Sequence, residues 1–96
     1  MSIEEIKEKI IPIAKEYGVG KVALFGSITT NENTAESDID ILIDKIEKKD
    51  FFVFGSFAND IEDALGRSVD ILTYKGIQNS IFKDSILEKE VVIYGT

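Results

Sequence analysis

The segment from residue 38 to residue 44 alternates between two kinds of side chain, and this alternation limits the possible folds more than any other feature. Every second residue is isoleucine, and the residues between the isoleucines are Asp38, Asp40, Leu42 and Asp44. Because successive side chains of a β-strand point to opposite faces, the segment is predicted to be a strand with one fully apolar face. Such a strand needs a sheet around it and a core layer beside it.

The rest of the chain divides into segments of helical and strand pattern. Ser2 and Glu5 form a capping box at the start of a first helix, Pro12 is expected to bend or tighten it, and Gly18 is a plausible stop. Further helices are predicted over 50–65 and 78–89, with strands over 21–25, 69–74 and 91–94. The polar stretch 27–37 is a predicted loop with room for one helical turn, and 45–49 is a predicted charged turn. The order predicts one α/β (α+β) domain, residues 1–96, with a mixed sheet and helices packed on it.

Each predicted helix carries an apolar face at helical spacing. The inward-facing residues of the first helix are predicted to be Ile3, Ile6, Ile10, Ile13 and Ala14. Those of the second helix, which begins at the N-cap candidate Asp50 and ends before Gly66, are Phe51, Phe54, Ala58, Ile61 and Leu65. Those of the third helix are Ile81, Phe82, Ile86 and Leu87.

Composition removes several kinds of chemistry. The chain has no cysteine and no histidine, which excludes disulfides, thiolate or imidazole metal sites and His-dependent nucleophilic triads. Any metal must be held by oxygen, as Mg²⁺, Mn²⁺ and Ca²⁺ are. The net charge of −7 argues against direct nucleic-acid binding. Neither a membrane-spanning run nor a signal-peptide pattern is evident, so we expect a cytoplasmic protein.

Asp38 and Asp40 project from the same face of the predicted strand, about 7 Å apart along it. Two like charges on a half-buried face repel each other, and a divalent cation between them would compensate. Asp70 lies in another apolar strand and is the third candidate, with capping of a loop or pairing with Arg67 or a lysine as the alternatives. Asp44 is more simply a residue at the end of the strand.

Gly26 and Ser27 follow the buried segment 21–25 and could form a phosphate-binding turn. Glycine lets the backbone approach a ligand closely, and serine adds a hydroxyl group. The similar string Phe54-Gly55-Ser56-Phe57 is interpreted as helix and core, because no pair of carboxylates follows it at the same spacing.

The string Phe25-Gly26-Ser27, followed after ten residues by Asp38-Ile39-Asp40, resembles the signature of the polymerase-β nucleotidyltransferase superfamily, and most closely its minimal nucleotidyltransferases. The resemblance covers nearly the whole chain and implies the polymerase-β-like fold. It also implies that Asp38, Asp40 and Asp70 form a catalytic carboxylate set that binds Mg²⁺, with two ions expected. Gly26 and Ser27 would then hold the phosphates of ATP.

The resemblance further implies a biological role. Small members of this family are paired with helical HEPN toxins, act as antitoxins, and transfer AMP from ATP to a tyrosine of the toxin. The expected partner is therefore a small helical HEPN-type protein, and a homo-oligomer is possible. Asp70 is expected to help deprotonate the acceptor tyrosine.

One departure keeps a second hypothesis open. Many relatives have basic residues directly after the Gly-Ser pair, whereas this chain has Ile28-Thr29-Thr30-Asn31. The alternative is an antitoxin that neutralises its partner by contact and keeps only a weak nucleotide site. Transfer to a small molecule and nucleic-acid polymerisation are weaker hypotheses for a chain of this size and charge.

Overall fold

The alternating segment forms one of the two central strands of a four-stranded sheet in the computed structural model of the chain, which describes residues 1–46 and 51–95. The strands are β1 (Val19–Phe25), β2 (Ile39–Ile46), β3 (Val69–Thr73) and β4 (Val91–Gly95). Their order across the sheet is β3-β2-β1-β4. β2 and β3 are parallel, whereas β1 is antiparallel to both β2 and β4. The predicted mixed sheet is confirmed.

The helices are α1 (Ile3–Glu16), α2 (Phe51–Leu65) and α3 (Lys83–Glu88), and a 3₁₀ turn spans Gly26–Thr29. The capping box predicted for α1 is present, with the Ser2 hydroxyl accepting from the Glu5 amide and the Glu5 carboxylate accepting from the Ser2 amide. Pro12 lies inside α1, and Gly18 follows it with a φ of 70°. No helix within the described residues is long and apolar enough to cross a bilayer.

Two apolar layers sandwich the sheet. The larger contains α1 and α2, with Ile6, Ile10, Phe57 and Ile61 buried against the isoleucines of β2. The smaller lies on the opposite face, where Ile77, Ile86 and Leu87 cover Ala23, Phe25 and Leu42. The alternation of β2 is thereby explained: its isoleucines face α1 and α2, and its other face carries Leu42 beneath the smaller layer and Asp40 at the edge of that layer.

The third helix was predicted incorrectly over its first half. Residues 78–82 form turns, and α3 begins only at Lys83. The Ser80 hydroxyl accepts from the Phe82 amide, which offers the backbone a local alternative to helix. As a result Ile81 and Phe82, predicted to face inward, are 91% and 63% exposed, and Ile77 takes the buried position instead.

The other boundaries moved little. β1 begins two residues earlier than predicted, at Val19, and β2 ends two residues later, so Lys45 and Ile46 belong to β2 and not to a turn. β2 begins at Ile39, which leaves Asp38 just before the strand. The string Phe54-Gly55-Ser56-Phe57 lies within α2 and Phe57 is fully buried, as predicted. The predicted N-cap Asp50, residues 47–49 of the predicted turn and the Phe51 side chain lie outside the described residues.

Candidate active site

Three carboxylates meet where β2 and β3 begin. Asp40 is the second residue of β2, and its direct partner across the parallel ladder is Asp70 of β3. Asp38 lies two residues before Asp40, immediately ahead of the strand. Asp38 and Asp70 are exposed and Asp40 is half-buried. The sheet register therefore brings together three carboxylates that the sequence separates by up to 32 residues (70 − 38).

Gly26 reaches the same place from β1. Phe25 pairs with Asp40 across the antiparallel ladder, so the chain leaves β1 beside the Asp40 carboxylate. Gly26 has a φ of 73°, and a Cβ atom there would collide with Asp40 Oδ2. The left-handed backbone favours glycine, and any larger residue would have to displace the Asp40 carboxylate. The structure thus brings the predicted Gly-Ser turn against the predicted acidic pair.

The charged form of Asp40 is disfavoured in this cluster. Partial burial, followed by the negative charges of Asp70 and Asp38, raises the pKa of Asp40 from 3.8 to about 6. Each of these causes disfavours the charged carboxylate. The cluster therefore holds more negative charge than its described surroundings neutralise.

The three carboxylates are the type of ligand that a hard divalent cation takes, but their side chains are not arranged around a common point. Within residues 1–46 and 51–95, no three acidic side chains form a group that could hold a metal ion as they are arranged. The donors are nevertheless all carboxylate oxygens, the ligands that Mg²⁺ takes. Because Asp38 and Asp70 are exposed, their side chains have room to turn towards Asp40.

Ser27 sits at the start of the 3₁₀ turn and is held by the loop that follows. Its hydroxyl accepts a hydrogen bond of 2.9 Å from Asn33 Nδ2. The same amide nitrogen lies 3.4 Å from the carbonyl oxygen of Asp38. The side chain of Asn33 therefore links the two halves of the Gly-Ser and Asp-x-Asp pattern.

Arg67 secures this loop from the start of β3. Its Nη2 donates to the Asn33 side chain at 2.7 Å and to the carbonyl oxygens of Thr34 and Ser37 at 2.6 and 2.5 Å. Sequence reasoning considered Arg67 only as a partner for Asp70, yet its hydrogen bonds within the described residues go to the loop. We call Arg67, Asn33 and their bonds the loop clasp.

A cleft of about 410 Å³ opens beside Gly26 and Ser27, on the face of the sheet that carries Asp40. The 3₁₀ turn and the residues that follow it form one wall. The other wall consists of α3 and of the residues directly before and after it. The lining residues from the second wall are Phe82, Ser85, Ile86 and Lys89. No sequence pattern indicated Lys89, because only the tertiary fold brings it near Gly26.

A small mixed sheet with a Gly-Ser turn set against paired carboxylates is the arrangement expected of a nucleotidyltransferase. Comparison with known proteins agrees. Residues 8–96 match the family model described as polymerase beta, nucleotidyltransferase, and the chain belongs to this family.

Relatives of similar length are known from archaea. The chain is 43% identical over 91 residues to a Methanocaldococcus jannaschii protein named "Putative protein adenylyltransferase MJ0435", covering 95% of this chain and 97% of that protein. It is 29% identical over 92 residues to protein adenylyltransferase MntA of Thermococcus cleftensis, covering 92% and 93% of the two chains.

Solved structures share the fold. A solved structure described as "Structure of putative minimal nucleotidyltransferase" superposes with a TM-score of 0.77 at 23% identity, covering 95% of both chains. A toxin–antitoxin structure with AMP-PNP superposes with a TM-score of 0.78 at 22% identity, covering 94% of this chain and 73% of the other. The MNT antitoxin structure with the tri-AMPylated HEPN toxin of Shewanella oneidensis gives 0.72 at 20% identity, covering 97% and 72%.

Proposed function

We propose that this nucleotidyltransferase transfers AMP from ATP to a tyrosine hydroxyl of a HEPN-type toxin and thereby acts as its antitoxin. The observation that carries the proposal is the meeting of Asp40 with Asp38, Asp70 and Gly26 at one end of the sheet. The names of the archaeal relatives support a protein acceptor. The tri-AMPylated toxin found with a structural neighbour supports its identity.

Asp38, Asp40 and Asp70 are the residues proposed to hold Mg²⁺, with two ions expected. When bound, Mg²⁺ neutralises charge that develops on the phosphate oxygens during transfer. The raised pKa of Asp40 supports this assignment, because a cation would compensate for the burial and for the repulsion by Asp70 and Asp38 that raise it. We assign Gly26 and Ser27 to the β- and γ-phosphates, since the turn brings backbone close to the carboxylates.

The proposed reaction is an in-line substitution at the α-phosphorus of ATP. The tyrosine oxygen forms a bond to that phosphorus, the bond to the bridging oxygen breaks, and pyrophosphate leaves with the electron pair. The Asp70 carboxylate accepts the proton that the tyrosine hydroxyl loses. Asp70 suits this role because it is exposed at the edge strand, where a partner protein can reach it.

The proposal places the protein in the cytoplasm, where ATP and a folded toxin are both available. The proposed acceptor is a protein and not a nucleic acid, because the net charge of −7 would repel a phosphate backbone. We infer that the partner is small and helical, from the resemblance to HEPN-paired relatives.

Labelled ATP tests the proposal directly. The purified protein, Mg²⁺, ATP labelled on the α-phosphate and the HEPN-type protein encoded beside it are incubated, and label on that protein is measured. Transfer that disappears when the acceptor tyrosine is changed to phenylalanine supports the proposal. Absence of transfer by a preparation that binds ATP would show that the transfer claim is wrong.

Neutralisation by contact is the second candidate, favoured by the absence of any basic residue from 27 to 38. The double variant D38N/D40N distinguishes the two. Loss of neutralisation while the complex still forms supports chemistry, whereas unchanged neutralisation supports contact alone. The matched control D63N alters an exposed acidic residue of α2 and is expected to keep both properties.

A further inference from the structure

A triphosphate bound at Gly26 and Ser27 brings several negative charges to a place already rich in carboxylates. No lysine or arginine occurs from residue 27 to residue 38. The hydroxyl groups of Thr29 and Thr30 donate to the carbonyl oxygens of Gly26 and Ser27, so they stabilise the turn itself. A basic side chain that contacts the terminal phosphates, in addition to the proposed Mg²⁺, would therefore have to come from elsewhere in the fold.

Arg67 is a poor source of that cation. Its Nη2 is committed to the loop clasp, and its Nε is buried with no hydrogen-bond partner. Turning the guanidinium towards a nucleotide would release the carbonyl oxygens of Thr34 and Ser37. The position of Arg67 favours support of the loop over contact with a ligand.

Lys89 is placed differently. It follows α3 directly and precedes β4 by one residue, and Val91 of β4 pairs with Leu24 of β1. The register therefore brings Lys89 to the end of β1 at which Gly26 begins the turn. Lys89 lines the cleft of about 410 Å³ together with Gly26 and Ser27.

The ammonium group of Lys89 is available for a ligand. The side chain is exposed. Across the parts of the chain that the structure describes, it has no hydrogen bond or ion pair with another residue. A lysine is a flexible point charge with three donors, which suits a terminal phosphate.

We propose that Lys89 binds the β- and γ-phosphates of the nucleoside triphosphate across this cleft and supplies the positive charge that residues 28–31 lack. The inference rests on the proposed function, because it assumes that a triphosphate occupies the Gly26-Ser27 turn. It assigns a role to the junction between α3 and β4, which lies outside both the Gly-Ser and the Asp-x-Asp patterns.

Glu32 is the one acidic residue among the described residues that line the cleft, and its charge opposes a phosphate there. It lies on the loop and is exposed, so its carboxylate can turn to solvent. Removing this charge with E32Q is expected to tighten triphosphate binding about twofold to threefold, as a partly screened like charge would.

The test compares triphosphate with monophosphate binding by calorimetry, using a non-hydrolysable ATP analogue and AMP with Mg²⁺. K89M is expected to weaken binding of the analogue about tenfold, the scale of one charge-assisted hydrogen bond. AMP binding should stay unchanged, because AMP lacks the terminal phosphates. K89R keeps the charge and should restore most of the affinity.

K75M is the matched control, since Lys75 is also exposed and its loss changes the net charge equally, but it does not line the cleft. It should leave both ligands unaffected. Equal analogue binding by K89M and the wild-type protein would overturn the assignment of Lys89 and leave the proposed function intact. An equal loss of analogue and AMP binding would also overturn it. A wild-type protein that binds no ATP analogue would overturn the proposed function itself, and this inference with it.

Discussion

Asp40 is the residue at which stability and function oppose each other. Its carboxylate is half-buried between two other carboxylates and beside the backbone of Gly26, where a Cβ would displace it. A position chosen only for stability would carry a neutral side chain there. The cost of this carboxylate is consistent with the proposed role of Asp40 in holding Mg²⁺.

The first prediction concerns the stability of the metal-free protein. The pKa of Asp40 rises from 3.8 to about 6 on folding, so the folded state binds this proton more tightly than the unfolded state does. The stability contributed by the protonated form is complete below pH 3.8 and is lost as the pH rises through about 6. D40N should therefore raise the free energy of unfolding at pH 7.5 by about 1 kcal/mol, since a half-exposed charge realises only part of the shift.

Chemical denaturation in the presence of a chelator measures this effect. At pH 3.5 most of the gain from D40N should disappear, because Asp40 is then protonated in the folded state and mostly protonated in the unfolded state. D63N serves as the control at both pH values. Destabilisation by D40N at pH 7.5 would contradict the interpretation that Asp40 is held under charge repulsion.

A second residue-scale prediction separates the two requirements at Gly26. Gly26 and Gly66 both have positive φ, 73° and 66°, but a Cβ at Gly66 would meet nothing within 4 Å. G66A should lose about 1 kcal/mol of stability from backbone strain alone and should keep nucleotide binding. G26A introduces the same backbone strain and also displaces the Asp40 carboxylate. We therefore expect greater destabilisation than in G66A, together with loss of ATP binding. Comparable ATP binding by the two variants would be evidence against close approach at Gly26.

The loop clasp is the element that ties the two halves of the signature together. Ser27 lies in the turn after β1 and Asp38 lies before β2, and Asn33 contacts both. Arg67 holds Asn33 and the loop carbonyl oxygens from the start of β3. We therefore interpret Arg67 as a positioning residue.

R67M tests this interpretation. It should destabilise the fold by only about 1–2 kcal/mol, because the released carbonyl oxygens are partly exposed and can bond to water. It should increase hydrogen exchange of the amides in 31–38 and weaken nucleotide binding, with R67K giving a partial rescue. K9M is the control, because Lys9 also donates to a backbone carbonyl oxygen, but to that of Ala64 in α2 and not to one in the loop. Unchanged exchange in the loop of R67M would contradict a positioning role.

Sequence patterns predicted elements that are periodic and failed where local hydrogen bonds decide. β2 was predictable because the alternation of 38–44 leaves one arrangement for its isoleucines. The start of α3 was not, because apolar spacing at Ile81 and Phe82 suggests helix, whereas the Ser80 hydroxyl stabilises a turn. The motif indicated Gly26, Ser27, Asp38 and Asp40, and a carboxylate within an apolar strand indicated Asp70; the sheet register brings Asp40 and Asp70 together. Arg67 and Lys89 gave no such signal, because their positions depend on contacts between distant segments.

At the scale of the whole molecule, the sheet order explains how a short chain can present a site on its surface. The Gly-Ser turn, the start of β2 and the start of β3 all open at one end of the sheet, and the smaller apolar layer covers only part of the adjoining face. The larger layer, on the other face, holds most of the buried side chains. Substitutions at the site should thus change binding with limited effect on folding.

A thermal melt with Mg²⁺ and ATP tests the molecule as a unit. A ligand present at a hundred times its Kd stabilises the folded state by about 2.7 kcal/mol, which should raise the Tm of a chain of this length by roughly 10 °C or more. D38N/D40N should show no such rise, although D40N alone is expected to melt higher than the wild-type protein without ligand. A variant that keeps a high Tm without ligand but shows no rise with ligand has lost the site and not the fold.

Mg²⁺ without ATP, at matched ionic strength, controls for screening of the −7 net charge. An equal rise in the double variant and the wild-type protein would mean that the two carboxylates do not hold the nucleotide's metal.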